Sequence, residues 1–231
     1  MLKTIFVYVV FLVVLTGCQC VTSIDTPKDV TPTFFAHVLF INGHPDLDEI
    51  NILTDNTTLV KSLYYNTNPK NYNDISPGSR NVQITSPLDS VLFNSSLELD
   101  DKKNYTFLVY GTTNRVQTLF FNDTIPNYSQ NNTYFRFVDI SPDSPQFIVK
   151  VADQYPIINT IQYRKDIKYY PATAGKYDIE LKVAETDSLA LSMKSVEMKS
   201  GKIYTILIKG YYDGIGAQKL QFHVIENTLV R

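Results

Sequence analysis

"HVLFINGHPDLDEINIL", residues 37 to 53, lies over "YFRFVDISPDSPQFIVK", residues 134 to 150, at an offset of 97 (134 − 37). Phe40 falls on Phe137, Pro45 on Pro142, Asp46 on Asp143 and Ile52 on Val149. The same offset carries "YNDISPGSRNVQI" (72 to 84) onto "YYPATAGKYDIEL" (169 to 181). After a slip of two residues, "LELDDKKNYTFLVYG" (97 to 111) meets "VEMKSGKIYTILIKG" (196 to 210). A repeat of just under 100 residues predicts two units, each large enough to bury a core.

Within each copy the signals are those of strands. Val38 and Phe40 alternate with His37 and Leu39, and Phe135 and Phe137 alternate with Tyr134 and Arg136, so the Phe face is expected to point inward. "NVQIT", "YDIELKV", "NYTFLVY" and "IYTILIK" repeat the period of two with β-branched and aromatic residues. Pro-Gly at 77–78, Ala-Gly at 174–175 and Ser-Gly at 200–201 mark turns. The reading is all-β: two tandem antiparallel β-sandwich, immunoglobulin-like domains. Their expected bounds are 34–121 and 133–231, joined by a polar linker over 122–132.

The N-terminus carries a different message. Lys3 precedes the apolar run Ile5 to Leu15, too short to span a bilayer as a mature helix and the right length for a signal-peptide core. The run ends in Leu15-Thr16-Gly17-Cys18, which resembles a bacterial lipobox. The resemblance implies a signal peptide over 1–17, a diacylated Cys18 as lipid attachment site, and a tether over 18–33. Removing 17 of 231 residues leaves 214, with 20 basic against 23 acidic residues once Lys3 is gone, a charge of −3. That balance provides no basic field for nucleic acid. Acyl chains on Cys18 anchor the chain to a membrane, and Gln19 rather than Asp after the Cys points by the same resemblance to the outer membrane of a cell envelope. Cys20 alone remains as a thiol, so no disulfide is expected within the folded part.

Chemistry is concentrated in the opening loop. His44, Asp46, Asp48 and Glu49 crowd around Pro45, and a Pro45–Glu49 acidic loop could serve a hydrolase or hold a hard cation. Pro and Asp are equally what a turn needs, since Pro fixes φ and Asp bonds nearby amides. The second copy keeps Pro142 and Asp143 but has Ser141, Pro145 and Gln146 where the first has His44, Asp48 and Glu49. The shared part is therefore turn chemistry. His37 and His223 stand singly at outward strand positions and are expected in solvent; no zinc motif is formed. No catalytic residue, metal or cofactor is assigned. Tyrosines are numerous, 16 against no Trp, and the pairs Tyr64-Tyr65, Tyr169-Tyr170 and Tyr211-Tyr212 are expected to turn one ring outward. Exposed Tyr suits a protein or glycan partner. Six sequons, at Asn56, Asn94, Asn104, Asn122, Asn127 and Asn131, read as an Asn-, Thr- and Ser-rich surface in a bacterial protein, and as glycosylation candidates in a eukaryotic one.

Taken in order, these motifs resemble domain-of-unknown-function family 4397, whose pattern runs roughly "RxVNxSPDxPxVDVYxD". "FRFVDISPDSP" follows it more closely than "LFINGHPDLDE". The tyrosine-to-glycine stretches 72–78 and 169–175 and the endings Tyr105 to Gly111 and Tyr204 to Gly210 correspond to its later elements. The resemblance implies secreted or lipoprotein architecture in two copies, and no established activity. The expected role is a non-enzymatic binding or structural one at the envelope.

Overall fold

The computed structural model describes residues 34–113, 115–151, 158–161 and 168–227, with the side chains of 158–160 left aside. The signal peptide, Cys18, Cys20 and the tether over 18–33 lie outside the described residues. Within the described residues the chain is all-β, sixteen strands and one 3-10 turn, Gly216–Gln218.

The first eight strands are β1 (Ala36–Asn42), β2 (Glu49–Thr54), β3 (Thr57–Tyr64), β4 (Asn73–Ile75), β5 (Gly78–Thr85), β6 (Val91–Leu99), β7 (Asn104–Thr112) and β8 (Arg115–Asn122). The next eight are β9 (Asn132–Asp139), β10 (Phe147–Val151), β11 (Ile158–Ile161), β12 (Tyr170–Thr173), β13 (Gly175–Val183), β14 (Leu189–Met198), β15 (Ile203–Lys209) and β16 (Gln221–Asn227). They build four sheets, β4-β1-β7-β8 and β3-β2-β5-β6 from the first half, β12-β9-β15-β16 and β11-β10-β13-β14 from the second. Adding eight to each label of the first pair reproduces the second, so the two sandwiches share one strand order.

Each sandwich closes on a core drawn from both of its sheets. Val38, Phe40, Phe107 and Val109 meet Ile50, Ile52, Val82 and Ile84 in the first; Phe135, Phe137, Ile206 and Ile208 meet Phe147, Val149, Ile179 and Leu181 in the second. The Phe face of the opening strand points inward in both, as its alternation predicts. The pairing is not purely antiparallel, however. β1 runs parallel to β7, His37 opposite Asn104 through Asn42 opposite Val109, and β9 runs parallel to β15. The cause is topological: the opening strand inserts between β4 and β7, and between β12 and β15, instead of lying at a sheet edge.

A third core joins the sandwiches. Leu39 and Ile41 of β1 and Leu108 and Tyr110 of β7 pack with Val138, Ile140, Leu207 and Ile225 from the second half. The two sheets that contain the opening strands are thus buried on both faces, which is why β7 and β15 are buried along nearly their whole length. The sheets stack in four layers, and only the outermost two keep the alternation of a half-buried strand, as β13 shows.

Candidate functional site

The opening loop follows β1 and is knitted into the fold. His44 is fully buried; its Nδ1 accepts the Asp46 amide at 3.2 Å, and its Nε2 donates to the Thr112 carbonyl at 3.0 Å. Burial lowers its pKa, so the ring is neutral, protonated on Nε2, with no lone pair left for a metal. Asp46 accepts from the hydroxyls of Thr113 at 2.8 Å and Tyr211 at 2.6 Å and from the Gln218 amide at 3.1 Å. Burial works to raise its pKa, but the hydrogen bonds from Tyr211 and Thr113 outweigh it and hold the carboxyl below its usual range. Tyr211 and Gln218 belong to the second sandwich, so the loop also brackets the two halves together.

In the second sandwich Asp143 accepts the Tyr212 amide at 2.6 Å and the Ser141 hydroxyl at 3.3 Å. The Asp of the opening loop in each sandwich therefore ties that loop to the hairpin that follows β7 or β15. Gly111 and Gly210 sit at the start of those hairpins with φ of +138° and +87°; a Cβ there would lie 1.9 Å from the Arg115 carbonyl or 2.4 Å from that of Lys219. Asp48 is exposed and Glu49 half-buried on β2. Among the described residues no group of three or more His, Cys, Asp or Glu is placed to hold a metal ion.

Two of the sequence expectations for single residues need correction. His37 is paired with Asp74 across β1 and β4 at 2.7 Å, its side chain 13% exposed. His223 is packed at the seam, its pKa lowered to about 4 by burial and by the Lys209 charge, and its Nε2 donates to the Thr67 carbonyl at 3.2 Å. Both strands have covered outer faces, which removes the solvent that alternation alone assigns to them. Of the tyrosine pairs, Tyr64 turns outward beside a buried Tyr65; Tyr169 and Tyr211 turn instead into the seam.

The seam has a polar centre. Arg136 of β9, 1% exposed, donates from Nη2 to Asp123 at 2.7 Å and to the Thr106 hydroxyl at 3.0 Å, and from Nε to the Thr205 hydroxyl at 2.9 Å. Its guanidinium lies between the rings of Phe121 and Tyr169, 4.1 and 4.5 Å from their centroids. Asp123 also accepts from Tyr72 at 2.6 Å and Thr106 at 2.8 Å, and Asn227 joins Thr205 at 2.7 Å to Tyr72 at 3.1 Å. Burial beside Asp123 raises the pKa of Tyr72, and burial does the same for Tyr169, so both stay protonated donors. A cleft of about 590 Å³ opens on this network, lined by Arg136, Tyr134 and Tyr169, by Lys168, and by asparagines of the connecting segment.

Residues 36–150 match the DUF4397 domain family. DUF4397 is a domain of unknown function, and the match spans the whole first sandwich, β9 and most of β10. It therefore takes in both opening loops. No curated protein matches the chain. Among solved structures, a crystal structure named as "a putative adhesin from Bacteroides ovatus" is similar at 9% identity, with a TM-score of 0.23, over 86% of this chain and 98% of that one.

Arg136, Asp123, Tyr169 and Lys168 were not legible as a group from the sequence. Asp123 sits in a run that reads as polar linker, and Arg136 stands at an outward strand position. One signal existed: at the offset of 97, Arg136 aligns with Leu39, and an aliphatic residue at that outward position points to a covered face.

Proposed function

We propose that this chain is a lipid-anchored envelope protein built of two tandem DUF4397 copies, with a non-enzymatic binding or structural role: it holds a protein or glycan partner. The cleft at the seam carries this reading, because it combines aromatic rings, amides, a fixed guanidinium and an exposed ammonium in one concave surface, the composition of a recognition site. The opening loop supports it too, since His44 and Asp46 spend their hydrogen-bonding capacity on holding the fold. A photo-crosslinking residue at Asn127, on the cleft rim, tests the role in the native envelope. A single crosslinked partner is expected, unchanged in yield when the free carboxylates are removed by Asp48→Asn and Glu49→Gln. Turnover of a substrate that disappears with those two substitutions, while the fold persists, would overturn the reading. For the anchor, Cys18→Ala should release the chain from membranes; a Cys18→Ala chain that stays in the membrane fraction refutes lipidation.

A further inference from the structure

We infer that the cleft at the seam is a binding site for an acidic saccharide, a uronic-acid oligosaccharide in chemical class; this rests on the binding reading above and names its ligand. Three observations converge. Arg136 makes its hydrogen bonds through Nε and Nη2. Among the described residues Nη1 has no protein acceptor, although the side chain is 1% exposed and lines the cleft. A guanidinium fixed between two rings with one nitrogen left over is a preorganised donor for a ligand oxygen. Lys168 supplies a second cation at the rim: its ammonium lies 5.3 Å over the Tyr170 ring and, among the described residues, meets no carboxylate. Among the described residues no acidic side chain lines the cleft, and with Arg136 paired to Asp123 the Lys168 charge leaves its open side positive.

The remaining lining is that of a sugar site. The half-buried Tyr169 brings an aromatic ring to the cleft for the C–H face of a pyranose, while Asn127 and Asn132 carry amides that both donate to and accept from hydroxyls. A volume of about 590 Å³ is within the range of small-molecule sites. The carboxylate faces Nη1 of Arg136 and the Lys168 ammonium, and the ring hydroxyls face the asparagines.

Digalacturonic acid and its neutral counterpart galactobiose, titrated into the full chain by calorimetry, decide the matter. Digalacturonic acid should bind and galactobiose should bind more weakly; Lys168→Glu, at an exposed position, should weaken the acid by about tenfold with no change in thermal unfolding. No heat with digalacturonic acid, or binding indifferent to Lys168→Glu, overturns the assignment. A peptide with a free C-terminal carboxylate that binds as tightly as the sugar, with the same Lys168 dependence, also overturns it in favour of a peptide site. If digalacturonic acid fails while the Asn127 crosslink still captures its partner, the saccharide assignment alone falls; if both fail, the binding reading falls with it.

Discussion

Asn42 and Asp139 stand at aligned positions at the ends of β1 and β9 and fasten the opening loop with different chemistry. Asn42 donates to the Leu47 and Leu63 carbonyls and accepts the His44 amide. Asp139 accepts the Ser141 amide and the Ser144 hydroxyl, and burial pushes its pKa up to about 7. Because the folded value exceeds the 3.8 of an ordinary aspartate, its contribution to stability is complete below that pH and is lost as the pH rises through about 7. Asp139→Asn should therefore stabilise the chain by about 1 to 2 kcal/mol at pH 8, with the advantage shrinking toward pH 4, as urea unfolding at a series of pH values would show. Gly43 poses a steric version of the same comparison. A Cβ on Gly43 would come within 2.3 Å of the Cδ1 of Ile140, its own aligned residue. Gly43→Ala should cost about 1 to 3 kcal/mol, and adding Ile140→Val, which removes only Cδ1, should recover most of that in the same assay.

Between elements, the seam turns on β8 with its trailing Asp123 and on β9. Removing either partner of Arg136–Asp123 leaves a buried charge unpaired, a loss of about 3 to 5 kcal/mol. Leu39 and Asn227 hold the corresponding places in the other sandwich, so Arg136→Leu with Asp123→Asn should be far less damaging than either substitution alone; a double-mutant cycle measures the difference. β16 adds a titratable contact, His223 to Thr67. Its folded pKa of about 4 lies below the 6.5 of an ordinary histidine, so its contribution is present above 6.5 and lost as the pH falls through about 4. His223→Gln, which keeps an N–H for the Thr67 carbonyl, removes this acid-side loss and leaves Asp139 unopposed, so stability should fall more steeply as the pH rises from 4 to 6.5. The strand faces that build each sandwich core were legible, because Phe40 and Phe137 declare themselves by a period of two. The parallel pairing of β1 with β7 was not, since register over some 70 residues leaves no local mark. The second buried face was hidden for a related reason: Leu39, Ile41 and Val138 look like interruptions of an alternation until their partners from the other half are known.

For the molecule as a whole, the third core predicts one cooperative unfolding transition rather than two. Separating the halves would expose Leu39, Ile41, Val138, Ile140 and Leu207 and strand Arg136, a cost that couples the sandwiches. Calorimetry should give a single peak whose van't Hoff and calorimetric enthalpies agree; two resolved peaks would show that the seam contributes little. The pH behaviour of the intact chain is also collective. Asp139 and His223 titrate in opposite senses over the same interval, so the wild-type profile between pH 4 and 6.5 should be flatter than that of either Asp139→Asn or His223→Gln.

On the duplication proposed above, joining the copies in one chain frees their shared face from self-complementarity. Where two identical chains meet about a two-fold axis, every residue must suit its own duplicate across the seam, and an arginine placed there appears on both sides. A covalent link keeps the partner at high effective concentration and makes it a different stretch of sequence. One side can then keep Leu39 while the other acquires Arg136, and Asp123 can face it where the second half retains Asn227. The fused chain thereby gains a single off-centre polar cleft that a symmetric pair of identical sandwiches would have to build twice or not at all.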